Sequence, residues 1–430
     1  MSGRKRNQAL KDQVAKLGEK LATIKNESAT FPITDVDTWN SFFTGGVTAS
    51  GKNVTPAIAM TCSAVFSCVR LISGAVASAP VKIYKRDGDK TSPASGHKLA
   101  RLLALRPNEY MTASTFWKTL AAQKVLNGDG YAAILRKRSG DVEALIPLLK
   151  LKVTPYHAYE LGLDRKLGVD RFRLYYQISW DDGTVSLMDQ DDMLHVPNIG
   201  WNGKTGLSTI QAGAQAMGLS LSSEESAAAL FKNGMMSQVS LQYPTKLDSD
   251  ALGRLRDHLD RRYSGSVNHH KPLILTEGGE AKTLSLSAGD AQLIETRQFS
   301  VIDIARFFGV PPVMIGESSK NSSWGSGVEQ MARWFTMFTL NDHLTDIEQE
   351  MEVKLFRGDS HYAGFDESEL TRGDTKTRGE FYRTARGSMQ EPGFMTINEI
   401  RSAEGLPPIE GGEELQRPVP GAEKGAKGDA

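Results

Sequence analysis

Three places along the chain carry side chains of the kinds, and at the spacings, that chemistry uses. Gly203-Lys204-Thr205 has the ending of a phosphate-cradling loop, whose lysine and hydroxyl would reach the outer phosphates and a magnesium ion. The G-x-x-x-x-G-K-[ST] spacing needs its first glycine at position 198, and that residue is Asn198. The motif is incomplete, and no nucleotide site is expected. His269-His270 would chelate a metal only with further ligands, because adjacent residues alone make poor geometry; solvated loop histidines are the simpler reading. His195, between apolar Leu194 and Val196, reads as a hydrogen-bonded histidine inside a strand. No nucleophile–base pair, H-E-x-x-H or carboxylate constellation stands elsewhere, so no catalytic residue, metal site or cofactor is expected.

The residues point to binding instead. Arg254, Arg256, Arg261 and Arg262 form the one dense basic cluster, which is either a solvated helix face or a docking surface. Lys320, Asn321 and Trp324 lie in 316–327, a stretch too polar and too rich in small residues to hold a core. Trp324 there is either a contact residue or an anchor for its own loop. Two Arg-Gly-Asp triplets, at 357–359 and 372–374, are turn chemistry. Across the whole chain Lys+Arg and Asp+Glu are equal at 51 each, so no global field draws it to nucleic acid or an anionic membrane. Any contact with DNA must be local or steric.

At 430 residues the chain has room for two or three domains, and 40% hydrophobic with 24% charged residues is ordinary soluble composition. Its two cysteines, Cys62 and Cys68, point to a reducing compartment. On one helix they would sit about 9 Å apart along the axis, too far to bridge. The basic start Met1-Ser2-Gly3-Arg4-Lys5-Arg6 is not followed by an apolar run, so no signal peptide is expected. The most apolar stretch, 56–84, is interrupted by Arg70 and falls short of the ~20 apolar residues of a membrane span.

The elements that must position these residues are clearest between Ser287 and Pro312. Ser287 and Asp290 have capping-box spacing, and Ile294, Val301, Ala305 and Phe308 then line one helical face. Gly309 and Pro311-Pro312 stop that helix, a rod of roughly 30 Å, and the soft loop follows. A second rod of roughly 40 Å is expected from Ser208 to Asn233. Its face of Ile210, Ala214, Met217 and Leu221 is surrounded by Ala, Ser and Gly. Gly213 and Gly218 each cost about 1 kcal/mol in a helix interior, which implies close approach to a neighbouring backbone. Between the rods lie an extended piece, a basic helix over 248–263, and strands near Pro272 to Leu275 and Ala281 to Leu286.

Before the first rod, a helix with Val65, Val69, Ile72 and Val76 on one face leads into a strand over 80–88. Short helices at 97–105 and 115–126 and strands at 131–136, near Leu145, at 172–180, near Val185 and at 193–197 complete an α+β domain. After the loop, 328–356 is expected to be one long helix with Leu340, Leu344, Ile347 and Met351 inward. Thr396 and Glu399 box the start of a short helix ended by Gly405. Leu10, Val14, Leu17, Leu21 and Ile24 make a short a/d seam, either a frayed helix or a partner-binding arm, and Trp39, Phe42 and Phe43 would tack the next segment down. The tail from Gly411 is expected to be disordered.

Taken in order, a set of short motifs resembles the portal proteins of tailed bacteriophages, of the lambdoid long-tailed type. They are Cys68-Val69-Arg70, Pro107-Asn108, Asn127-Gly128-Asp129-Gly130-Tyr131, Leu194-His195-Val196, Gly206-Leu207-Ser208 and Phe231-Lys232-Asn233-Gly234. Asp290-Ala291-Gln292, Ile304 through Pro312, Glu329-Gln330, Thr396 through Arg401 and Gly405-Leu406-Pro407-Pro408 continue the series. The resemblance covers about 55–412 and rests on order rather than on any one motif. It departs at Ser323-Trp324, where an aromatic followed by a polar residue is common.

The resemblance implies an α+β portal-type fold. Its parts would be an N-terminal arm (1–30), a mixed α/β wing (31–206 with 328–375), a stem of two helices (207–234 and 288–309), a small α/β clip (235–287), a tunnel loop (310–327), a helical crown (376–410) and a tail (411–430). It implies a dodecameric homo-oligomer at one capsid vertex of the virion, assembled in the host cytoplasm, without enzymatic activity or membrane contact. Double-stranded DNA would pass through its channel, with Lys320, Asn321 and Trp324 nearest to it. A terminase large subunit and a head–tail adaptor would dock on the clip at Arg254, Arg256, Arg261 and Arg262, and major capsid or scaffold protein would surround the ring. A nuclease or translocase, and a minor capsid or adaptor protein, are the competing readings.

Overall fold

The computed structural model describes residues 48–88, 90–180, 182–233, 239–242, 248–250, 252–254, 256–257, 280–283, 299–317, 326–367, 375–388 and 392–416. Outside them lie the a/d seam, Trp39, Phe42 and Phe43, Arg261, Arg262, His269-His270, the strand at Pro272, the Ser287 capping box with Ile294, and the 372–374 triplet. Lys320, Asn321 and Trp324 also lie outside. Contacts divide the chain into two units, Met1–Trp324 with Trp334–Asp366, and Gly325–Arg333 with Glu367–Ala430.

In the first unit two helices pack face to face. Helix α1 (Ser63–Ser78) buries Val65, Val69, Ile72 and Val76, the stripe its periodicity predicts. Helix α2 (Ala113–Asn127) is capped by the Thr112 hydroxyl and ends at Gly128, whose φ of 85° suits a residue without Cβ. It buries Phe116, Trp117, Leu120 and Val125, and Trp117 Nε1 donates to Leu103 O at 3.1 Å.

Among the described residues, three three-stranded antiparallel sheets pack with these helices and a two-stranded one lies further on, their strands numbered in chain order. Strand β1 (Val81–Asp87) lies between β2 (Lys90–Pro93) and β11 (His361–Phe365); Val81 faces Phe365. Strand β3 (Asp129–Arg136) lies between β4 (Val142–Leu148) and β8 (Met193–Pro197), and β6 (Leu174–Ser179) between β5 (Val153–His157) and β7 (Val185–Asp189). Tyr131, Ala133, Leu148, Val153, Tyr176, Ile178 and Met193 form one core between the last two sheets. Strands β2, β5 and β11 were not expected from the sequence. All three are edges, where one face and one row of backbone groups need no partner, so their composition can stay irregular, Pro155 in β5 included.

The rod expected from Ser208 to Asn233 is broken. Ser208 caps a turn over Thr209–Ala212, Gly213 departs from helical geometry (φ −95°, ψ 10°), and α3 (Ala214–Asn233) resumes. Packing is close at the break: a Cβ on Gly213 would lie 3.0 Å from Met217 Cε and 3.1 Å from the Phe307 ring of α4 (299–307). Gly218 is tighter still, 2.5 Å from Thr48 Oγ1. The part of the small-residue face of α3 around Gly218 thus receives the chain's own 48–52 segment. Ala49 N donates to Gln215 Oε1 at 3.0 Å, Ser222 Oγ to Ser50 O at 3.4 Å, and Lys52 pairs with Glu225.

Gly309 (φ 66°) stops α4 as its sequence position predicts. Strand β9 (Val239–Gln242) pairs antiparallel with β10 (Glu280–Thr283). The long helix begins as α5 (Ser326–Phe335), widens into a π segment over Thr336–Leu340, continues as α6 (Asn341–Met351) and widens again over Glu352–Phe356. It buries Leu340, Leu344, Ile347 and Met351 as expected, but the two π turns could not be read from a 3.6 period. Arg357 and Gly358, both at positive φ, end it as a turn.

In the second unit are α7 (Thr375–Arg386) and α8 (Ile397–Ala403), the latter opened by the Thr396–Glu399 capping box. Disorder expected from Gly411 is corrected as far as Gln416. Asn398 N donates to Gly412 O at 2.9 Å and Gly393 N to Gln416 O at 3.0 Å.

A methyl on Gly218 must displace Thr48, so Gly218→Ala should lower stability by about 1–3 kcal/mol. Gly74→Ala, mid-helix in α1 with nothing within 4 Å of the new Cβ, should raise it by about 1 kcal/mol. Thermal denaturation separates the two; shifts of the same sign would contradict the packing described.

Candidate functional site at the strand–helix junction

The densest constellation of buried polar groups lies where β3, β8 and the turn before α3 meet. Backbone runs against backbone there. A Cβ on Gly128 would sit 2.5 Å from Gly206 O, and one on Gly206 would sit 2.4 Å from Gly128 O. Asn198 N donates to Gly128 O at 2.8 Å, and Asn198 Nδ2 reaches Leu207 O and Thr209 Oγ1, both at 3.2 Å. Ser208 Oγ donates to Leu126 O at 2.6 Å while accepting the Ile210 and Gln211 amides as the helix cap. The end of α2 and the start of the next helix are thereby tied through one hydroxyl.

Asp129, fully buried, holds the centre. Its Oδ1 accepts from Gly206 N at 2.7 Å and from His195 Nε2 at 2.9 Å, and its Oδ2 pairs with Lys150 Nζ. Since an ionised carboxylate only accepts, the His195 proton sits on Nε2, and Nδ1 takes the Tyr176 hydroxyl proton at 2.9 Å. Burial first, then the Lys150 and Lys354 cations, push the His195 pKa down to about 3, so the ring stays neutral. Burial likewise raises the Tyr176 phenol.

Helix α6 lays a polar face on this knot. Glu350 Oε1 accepts from His195 N at 3.1 Å, and Asp346 pairs at 2.5 Å with Lys124, whose side chain is only 1% exposed. His343 is buried with no hydrogen-bond partner for Nδ1. Its pKa is also pushed to about 3, by burial and then by Lys124. Burial raises the Glu350 carboxyl. His343, Asp346 and Glu350 recur at i, i+3 and i+7, one helical face.

Both His195 nitrogens are engaged and the ring is enclosed, so the group offers no general base. What it can do is mechanical: it fixes the direction in which α3 leaves the sheets. The structure puts His195 where the sequence placed it, hydrogen-bonded in a strand. Lys204 pairs with Glu160 at 2.5 Å, and the Lys204 and Thr205 amides donate to Asn202 Oδ1 at 3.0 and 2.8 Å, so the amides a phosphate would need are taken. Arg254 and Arg256 are exposed on their helix. Sequence reading missed the roles of Asp129 and Lys150, whose only signal was Asp129 between two glycines.

It also missed His97, Asp359 and His361, which fold together from distant positions. His361 Nδ1 lies 3.0 Å from Asp359 Oδ1 and His97 Nε2 lies 3.8 Å from Oδ2. His97 Nδ1 accepts the Leu99 N–H at 3.2 Å, which puts the His97 proton on Nε2. A metal would need a lone pair on Nε2, so His97 is set up to face the Asp359 carboxylate with an N–H rather than to ligate.

The segments meeting at Asp129 are three of the ordered motifs: 127–131, 194–196 and 206–208. A family profile described as "Phage portal protein" matches residues 63–405. The chain belongs to the phage portal protein family. It is 29% identical over 360 residues to the portal protein of Enterobacteria phage HK97, covering 83% of this chain and 81% of that one. It is 30% identical over 374 residues to the probable portal protein of Streptomyces phage phiC31, covering 86% and 79%. The fold is similar to a chain in the neck of a native gene transfer agent particle computed with C12 symmetry. There the TM-score is 0.56 at 21% identity, over 89% of this chain and 96% of that one. Its function is the family's, the portal of the head-to-tail connector, and the family is structural rather than catalytic.

A folded-state pKa of about 3 against an ordinary 6.5 means that, between those values, only the unfolded chain binds the proton. The stabilisation from His195 and His343 is complete above about pH 6.5 and lost as pH falls. Each should cost about 2 kcal/mol between pH 7 and pH 5. The raised Glu350 carboxyl opposes this, so His343→Leu isolates it: denaturation midpoints of the variant should fall less than wild type over that range. Parallel profiles would contradict the assignment.

Proposed function

We propose that this portal protein works as a closed ring of copies around the channel through which double-stranded DNA is packaged and later ejected. Its parts would be those the family resemblance maps. The wing is 31–206 with 328–375, the stem 207–234 with 288–309, the clip 235–287, the tunnel loop 310–327 and the crown 376–410. The observations that support the reading are the approach of Phe307 in α4 to Gly213, just before α3, and the antiparallel pairing of β9 with β10 in the segment between the two helices. Twelve copies is the number that the family resemblance implies.

A duplex that slides should not be gripped, because each phosphate neutralised by a cation adds affinity through counterion release. On the described parts of the stalk, Arg306 is paired with Asp303, Glu225 with Lys52, and Glu224 adds an acid. This supports a conduit with weak hold on its cargo. Lys320, Asn321 and Trp324 would be the closest approach to DNA. The exposed Arg254 and Arg256, with Arg261 and Arg262, would receive the terminase large subunit and then a head–tail adaptor, with capsid or scaffold protein around the wing. The working site is one capsid vertex of the virion, reached from the host cytoplasm.

Electron microscopy and mass measurement of the purified full chain should show rings of twelve with a central opening; a compact monomer at every concentration would overturn the reading. Lys320→Glu should change the amount of DNA retained in assembled heads while leaving ring mass unchanged, and unaltered retention would remove Lys320 from the channel.

A further inference from the structure

The chain's own 48–52 strap covers the part of α3 around Gly218. A ring still needs a heterologous interface, in which one patch on each copy meets a different patch on the next. On the last turn of α5 and the π segment after it, Trp334, Met337 and Phe338 are 55%, 62% and 73% exposed. Their i, i+3, i+4 spacing puts them on one side of the helix. The opposite side is fixed: Phe335, Thr336, Thr339 and Leu340 are buried, and Thr339 Oγ1 donates to Gly309 O at 2.5 Å. The helix therefore cannot roll to hide the three side chains. Its π winding sits on this turn, a distortion found most often where a helix serves a function.

Three large apolar side chains held outward together form a patch of the kind that marks an interaction site. Arg333, beside Trp334, is an exposed cation already engaged within the chain, and Asp342, Thr345 and Gln349, which continue this face, add no other, so the face suits an apolar partner better than a polyanion such as DNA. We infer that Trp334, Met337 and Phe338 seat on a second copy of this chain, the next one in the ring. This rests on the ring reading above. It adds which face makes the contact, and places the contact directly beside the Gly309 stop of α4.

The full-length chain carrying Trp334→Ala and Phe338→Ser should need at least tenfold higher concentration than wild type to form rings in mass photometry. Phe172→Ser, at a side chain 65% exposed on the sheet side of the molecule, should assemble normally. p-Benzoylphenylalanine in place of Phe338 tests the contact without deleting the apolar face, and on illumination it should give covalent chain-to-chain products. Rings from the double variant at wild-type concentration would overturn the inference. So would photoproducts confined to residues 1–47 of the same chain or to added duplex DNA. Wild type that forms no ring would overturn the ring reading itself, and this inference with it.

Discussion

A carboxylate without access to water must find its partners inside the protein, and Asp129 finds three: a backbone amide, an imidazole and an ammonium. Each comes from a different stretch of chain. Gly206 precedes the helix turn that leads to α3, His195 belongs to β8, and Lys150 follows β4. Removing Lys150 leaves the buried carboxylate without a countercharge, and removing either other partner leaves one of its lone pairs unsatisfied, so the three stretches hold one geometry together. The two glycine contacts beside Asp129 leave no room for any side chain, which fixes the backbones to the same tolerance.

From that point the rest of the first unit is placed in sequence. Ser208 starts the helix, Gly213 and Phe307 set α3 against α4, and Gly309 with Thr339 ties the end of α4 to the π turn of the long helix. The long helix returns to the start, because Glu350 binds the backbone of His195 and Asp346 the ammonium of Lys124. The loop of contacts closes on itself. On the ring reading, displacement of the stalk would reach the wing through these contacts without passing through any exposed loop.

Much of this was legible beforehand, for identifiable reasons. Helices α1 and α2, the buried face of the long helix, the Gly309 stop and the Thr396 capping box all have local signatures, a period or a cap. His195 was read correctly because apolar neighbours imply burial and burial demands partners. What stayed hidden depends on residues far apart in sequence. Asp129 and Lys150 look like surface charges until the fold encloses them, and His97 meets Asp359 and His361 only through the β1–β11 pairing. The strap over Gly218 is not legible in the sequence, because a glycine reports that something approaches, not what. Edge strands and π turns have no period of their own to read.

The central claim is that Asp129 makes the turn before α3 as rigid as the sheet it leaves. Amide hydrogen exchange at Gly206 tests it most directly. The account predicts that this N–H, although it belongs to a turn, exchanges as slowly as the amides of Tyr131 and Ala132 in the middle of β3. Exchange at the rate of an open loop would contradict it.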